Sequence, residues 1–93
     1  MTIRYVTWPL PVRDKLLTFR SPRYTSEETL DYIAQFILNT ENILKNDIIG
    51  RFYTEESGQY RGISRIVVHA FKVYFEIKGD EVVILAVKFP REI

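Results

Sequence analysis

The sequence predicts an α+β fold in which two helices from the N-terminal half pack on one face of a mostly antiparallel four-stranded sheet. Three consecutive strand-like segments occupy residues 60–91, and two segments with helical spacing precede them. A short strand-like segment, rich in β-branched and aromatic residues, opens the chain. Helices followed by a run of strands are typical of α+β domains. The predicted element order is β-α-α-β-β-β, in a single domain spanning residues 1–93.

The last two strands, residues 71–77 and 81–89, are joined by a turn whose Gly79-Asp80 pair suits the positive φ angles of a two-residue hairpin. The register that follows from this turn consists of the pairs Ile77–Val82, Phe75–Ile84 and Val73–Ala86. Because side chains alternate along a strand, one face of the hairpin is uniformly apolar. We expect this face to be the one that the helices cover.

The preceding strand, residues 60–68, is expected to pair with residues 71–77 through a short loop at His69-Ala70. This pairing gives the uncovered face a mixed character. Its predicted members are Arg61, Ile63, Arg65, Val67, Lys72, Tyr74, Glu76, Val83, Leu85 and Val87. Two interpretations remain open for this face. It is either a solvated surface on which long cationic side chains cover apolar residues, or a binding surface for an anionic partner.

The first half of the chain predicts one strand and two helices. Residues 3–8 form the strand, which ends at Pro9, and a short helix begins near Pro11 and ends before Ser21-Pro22. The sequence from Thr25 to Glu28 fits a capping box at the start of a longer helix. The predicted buried positions of that helix are Leu30, Ile33, Ala34, Ile37 and Leu44. The helix is either continuous to about Asn46 or kinked near Asn39.

Composition limits the chemistry available to the chain. It contains no cysteine and one histidine, which excludes disulfides, thiolate catalysis and, in a monomer, a multi-histidine metal site. We therefore predict no cofactor and no metal. No apolar run is long enough for a membrane span and no signal-like segment opens the chain, so we expect a cytoplasmic protein without membrane contact. The net charge is +1, but residues 26–58 carry seven acids against two bases, which leaves the remainder basic.

The order and spacing of these segments resemble the RelE/ParE superfamily of bacterial toxins from type II toxin–antitoxin pairs. The similarity extends over nearly the whole chain. The segments that carry it are residues 3–8, 26–29, Ile33, Ile37 and Leu44, then Gly50-Arg51, Tyr60-Arg61, residues 71–77 and 82–87, and Arg91.

This resemblance implies a ribosome-dependent messenger RNA endoribonuclease. Basic residues on the strands and near the C-terminus of such relatives position the RNA backbone and stabilise the pentacoordinate phosphate, often with a C-terminal Tyr or His as acid or base. By position, the implied catalytic residues are Arg61, Lys72, Tyr74 and Arg91, and the implied substrate-binding residues are Arg65 and Lys88. Since residues 88–93 contain neither Tyr nor His, two alternatives remain: a non-enzymatic gyrase-inhibiting toxin of the ParE kind, or a degenerate relative that only binds antitoxin.

The resemblance also implies partners. The first is a cognate acidic antitoxin, whose disordered half would fold onto the uncovered face of the sheet. The antitoxin-binding residues predicted there are Ile63, Val67, Val83, Leu85 and Val87. The cellular target would be the ribosome with its messenger RNA for a nuclease, or DNA gyrase for a ParE-like toxin. The expected assemblies are a homodimer or a heterotetramer with the antitoxin.

Overall fold

Two helices and a five-stranded mixed sheet make up the computed structural model, which describes residues 4–45 and 53–91. The elements are β1 Tyr5–Thr7, α1 Leu10–Leu17, α2 Ser26–Lys45, β2 Tyr53–Thr54, β3 Ser64–Val68, β4 Phe71–Lys78 and β5 Glu81–Lys88. The strand order is β1-β5-β4-β3-β2, with β1 parallel to β5 and the other neighbours antiparallel. The α+β class is therefore confirmed, whereas the prediction of four strands is wrong by one. Neither described helix has the length and apolar character needed to cross a membrane.

The hairpin of β4 and β5 contains an irregularity that the sequence did not reveal. The two-residue turn and the pairs Ile77–Val82 and Phe75–Ile84 are as predicted, but of the two turn residues only Gly79 (φ 60°) has the predicted positive φ angle. Beyond them the register shifts, so that Val73 pairs with Val87 instead of Ala86. This β-bulge leaves Leu85 without a partner and turns Val87 toward the helices, where it is 1% exposed. The prediction that Val87 lies on the uncovered face is therefore wrong.

The strand predicted over residues 60–68 is shorter than expected. β3 begins at Ser64, while residues 60–62 form turns in which Gly62 adopts a positive φ of 83°. Two backbone hydrogen bonds, Glu55 N to Ile63 O and Gly62 N to Glu55 O, close the intervening loop. The predicted strand over residues 60–63 is thus wrong, because the chain turns back there to pair β3 with β2.

The long helix α2 begins with the predicted capping box. Thr25 N donates to Glu28 Oε1 at 2.9 Å, and Glu28 N donates to Thr25 Oγ1 at 3.2 Å. The helix continues to Lys45 without a break at Asn39, and the predicted end at Asn46 lies just outside the described residues.

The buried stripe of α2 differs from the predicted one. Its buried residues are Thr29, Ile33, Phe36, Thr40 and Leu44, whereas Leu30 and Ala34, both predicted to be buried, are exposed. Each buried threonine donates its hydroxyl hydrogen to the carbonyl four residues earlier, at 2.8 Å. Because this hydrogen bond satisfies the hydroxyl, the threonine methyl can pack like an apolar side chain.

Aromatic side chains fill the core between the helices and the sheet. Phe71, at the start of β4, is fully buried and its ring centroid lies 4.6 Å from Phe36 on α2 and 5.1 Å from Phe19 after α1. Phe89, just after β5, contacts the same cluster at 5.2 Å from Phe19. Both helices therefore pack on one face of the sheet, and neither of them covers the opposite face, here called the open face.

Candidate functional site

Two lysines occupy facing positions on the open face. Lys72 on β4 pairs directly with Lys88 on β5, and Lys72 is exposed. Within residues 4–45 and 53–91, no acidic side chain forms an ion pair with either lysine. Like charges directly opposite each other destabilise a sheet, so this arrangement has no structural benefit of its own. Such a pair is suited to binding an anion placed between the two ammonium groups.

A tyrosine from the loop before β3 covers the centre of the open face. The Tyr60 ring stacks on Tyr74 with ring centroids 4.2 Å apart and planes 19° apart, and Lys88 Nζ lies 5.5 Å from the Tyr60 centroid. Tyr74 is consequently only 3% exposed. An acid or base must reach the proton it transfers, so the buried Tyr74 is poorly placed for the predicted catalytic role. Tyr60, which is half-buried, is the phenol nearer the surface at this point.

Arg65 is on the open face but its charge is neutralised. Its Nη1 atom lies 3.1 Å from Glu55 Oε1, and its guanidinium carbon lies 4.6 Å from the Tyr53 ring centroid. The contact with Tyr53 joins β3 to β2, and the contact with Glu55 joins β3 to the residue that follows β2. Arg61, in contrast, is exposed in the turn that follows Tyr60, and no described acidic side chain pairs with it. Apart from Arg91, the predicted cations without a described acidic partner are therefore Arg61, Lys72 and Lys88.

Arg91 does not join this group. With a positive φ of 68°, it lines a cleft on the side of the helices, together with Arg20 and Arg23. The four predicted catalytic residues are thus divided: Lys72 is exposed on the open face, Arg61 is exposed in the turn before β3, Tyr74 is buried beneath Tyr60, and Arg91 lies in the separate cleft.

The predicted antitoxin-binding residues differ in accessibility. Val67 is 59% exposed beside its cross-strand partner Lys72, and Leu85 is 38% exposed at the bulge. Ile63 and Val83 are half-buried. The apolar part of the open face is therefore smaller than predicted, because Val87 has turned into the core.

The single histidine is attached to α2 and not to the open face. His69 adopts a positive φ of 52° in the turn between β3 and β4, and its Nε2 atom lies 2.6 Å from Asn39 Nδ2. The Tyr32 hydroxyl donates to the His69 carbonyl at 3.4 Å. Burial raises the pKa of the Tyr32 phenol above its usual value, and the nearby Tyr24 raises it further. Among the described residues, no cluster of acidic or histidine side chains could hold a metal ion.

No family model, curated protein or solved structure matches this chain. Strand alternation placed Arg65 and Lys72 on the open face, but it did not predict that the bulge brings Lys88 opposite Lys72, that Tyr60 covers Tyr74, or that arginines line a cleft. Arg20 and Arg23 are close in sequence, but Arg91 is far from both, so no local pattern placed the three arginines together.

Proposed function

We propose that this chain is the cytoplasmic toxin of a type II toxin–antitoxin pair, resembling the RelE/ParE superfamily, and that its open face binds the phosphate backbone of messenger RNA. The observation that carries the proposal is the facing pair Lys72–Lys88, which no described acid neutralises. Phosphate contacts from lysine and arginine provide most of the affinity in nonspecific nucleic-acid binding. The element order β-α-α-β-β-β of the resembled superfamily supports the same function, with β2 as an addition.

Cleavage by attack of a ribose 2′-hydroxyl needs a base, an acid for the leaving 5′-oxygen, and cations for the added negative charge. In this proposal Lys72 and Lys88 hold the phosphate and stabilise the transition state, while Arg61 binds the neighbouring backbone. The Tyr60 phenol, and not Tyr74 buried beneath it, donates a proton to the leaving 5′-oxygen, while solvent water accepts the 2′-hydroxyl proton and Tyr60 is afterwards reprotonated from solvent.

A second candidate follows from the division of the predicted catalytic residues. Tyr74 is covered, Arg65 is paired with Glu55, and Arg91 lies in a separate cleft. A surface with cations but without an assembled acid and base binds a target without cutting it. This favours, as the runner-up, a non-enzymatic toxin of the gyrase-inhibiting kind, or a relative that retains antitoxin binding alone.

The proposed partner is an acidic antitoxin segment that folds onto the same cations. Val67 and Leu85 provide exposed apolar contacts for it, and Lys72 lies directly beside Val67. An antitoxin bound to the open face would block RNA binding there. The proposed assembly is a heterotetramer with the antitoxin, or a toxin homodimer to which the antitoxin binds. Binding of an acidic antitoxin peptide should weaken with salt and should be competed by RNA.

The test is expression of the chain in a sensitive bacterial host, followed by messenger RNA cleavage in a translation extract read by primer extension. Lys72→Ala with Lys88→Ala should abolish both growth arrest and cleavage. Lys78→Ala is the matched control, because Lys78 is on the same strand but pairs with Glu76 at 3.6 Å. Growth arrest without cleavage, together with inhibited supercoiling by purified gyrase, would replace the nuclease with the second candidate. Absence of growth arrest would leave only antitoxin binding.

A further inference from the structure

A cleft of about 450 Å³ lies between the loop after α1 and the chain that leaves β5. Its size falls within the range of small-molecule sites, roughly 300 to 1,000 Å³. Three arginines line it, namely Arg20, Arg23 and Arg91, and none of its described lining residues is acidic. A concave site with several guanidinium groups and no carboxylate attracts an anion, and guanidinium binds phosphate with two parallel hydrogen bonds.

The arginines differ in how they are held. Arg20 Nη1 donates to the carbonyls of Leu17 and Phe19, at 2.9 and 2.6 Å, which fixes its side chain at the end of α1. Arg23 and Arg91 are exposed, and no described carboxylate pairs with either. The cleft thus combines one fixed guanidinium with two that are available to a ligand.

The wall of the cleft is aromatic. Tyr32 stacks on Phe19 with ring centroids 5.9 Å apart, and Tyr24 contacts Tyr32 at 5.3 Å. Tyr24 is 38% exposed, so part of its ring is accessible. Nucleobases stack on exposed aromatic side chains regardless of their sequence.

We propose that this cleft binds a nucleoside monophosphate group, with the phosphate on Arg23 and Arg91 and the base on Tyr24. The ligand is either a free nucleotide or the phosphorylated 5′ end of an RNA chain. An acidic peptide would supply carboxylates but no planar base for the aromatic wall. The proposal goes beyond RNA binding on the open face, because it uses none of the residues assigned to that surface.

The test is isothermal titration calorimetry with adenosine monophosphate, adenosine and inorganic phosphate on the purified chain. Adenosine monophosphate should bind, with both other ligands at least tenfold weaker. Arg23→Ala and Arg91→Ala should each weaken binding roughly tenfold or more, the size expected for loss of a hydrogen bond to a charged group. Lys78→Ala, which removes the same charge outside the cleft, should bind like the wild type. Tyr24→Ala should weaken binding, and Tyr24→Phe should retain it.

The source of the phosphate is decided by comparing adenosine monophosphate with a short RNA carrying either a 5′-phosphate or a 5′-hydroxyl. If the RNA with a 5′-phosphate binds more tightly than the RNA with a 5′-hydroxyl, the cleft is assigned to RNA ends. If the two RNAs bind equally, the cleft is assigned to free nucleotides. The cleft proposal is overturned if adenosine binds as tightly as its monophosphate, or if Arg23→Ala and Arg91→Ala change nothing. The Lys72→Ala, Lys88→Ala variant should retain nucleotide binding, so loss of toxicity and failure of the cleft are distinguishable.

Discussion

Lysine at position 87 should destabilise the protein far more than lysine at position 85. Val87 is 1% exposed and Leu85 is 38% exposed, although both were assigned to the same face by simple alternation. Burial lowers the pKa of a lysine by up to about 3 to 5 units, and one unit corresponds to about 1.4 kcal/mol. Because the ordinary lysine pKa of about 10.4 lies only about 3.4 units above pH 7, Val87→Lys should therefore cost about 4 to 5 kcal/mol at neutral pH, against a total stability of roughly 5 to 14 kcal/mol for a chain of this length. Leu85→Lys should cost about 1 kcal/mol or less, because its stem can lie along the surface.

Urea unfolding followed by circular dichroism measures the difference. With a denaturant slope of about 2 kcal/mol per molar, Val87→Lys should lower the midpoint by about 2 M or more, and Leu85→Lys by about 0.5 M or less. If Val87→Lys does not fold, Val87→Ala replaces it, with an expected cost of about 2 kcal/mol from two lost methyl groups and the cavity they leave. If Val87→Lys is as stable as Leu85→Lys, residue 87 is not buried. That result would support the Val73–Ala86 register and contradict the bulge.

Three further outcomes are expected. Phe75→Ala should cost about 3 to 5 kcal/mol because the ring is fully buried, and a cooperatively folding variant with little loss would contradict the assigned core face. Ala70→Gly should raise the stability by about 0.5 to 1 kcal/mol, since Ala70 has a positive φ of 66°, and thermal unfolding would reveal a lower melting temperature if this is wrong. The raised pKa of Tyr32 means that the unfolded chain loses this proton first, so stability should fall as pH rises above about 10. Tyr32→Phe should reduce that alkaline loss in pH-dependent urea titrations, and an unchanged profile would contradict it.

Local sequence signals predicted the elements whose formation depends on neighbouring residues. The Gly79-Asp80 turn and the capping box at Thr25 and Glu28 were read correctly, because each is set within four residues. The α+β class followed from the order of helical and strand-like segments. The cations of β3 and β4 on the open face followed from side-chain alternation, because the pairing of these two strands is regular and the bulge affects only the pairing of β4 with β5.

The remaining features depend on contacts between distant parts of the chain. No glycine or proline near Leu85 marks the bulge in the sequence, although the bulge moves Val87 into the core. Buried threonines in α2 look polar in sequence, and only their hydrogen bonds to the preceding turn reveal how they pack. The stacking of Tyr60 on Tyr74 joins a loop to a strand, so alternation alone could not predict that Tyr74 is covered.

The most direct test of the proposed RNA-binding surface is the salt dependence of binding to a labelled single-stranded RNA, measured by fluorescence anisotropy. Each phosphate contact adds about 0.7 to the slope of log K against log salt concentration. Lys72→Ala with Lys88→Ala should therefore make the slope shallower by about 1.4, while Lys78→Ala, whose ammonium group is paired with Glu76, leaves it near the wild-type value. Equal slopes for the wild type and the double variant would contradict the assignment of the Lys72–Lys88 pair as the RNA-binding site.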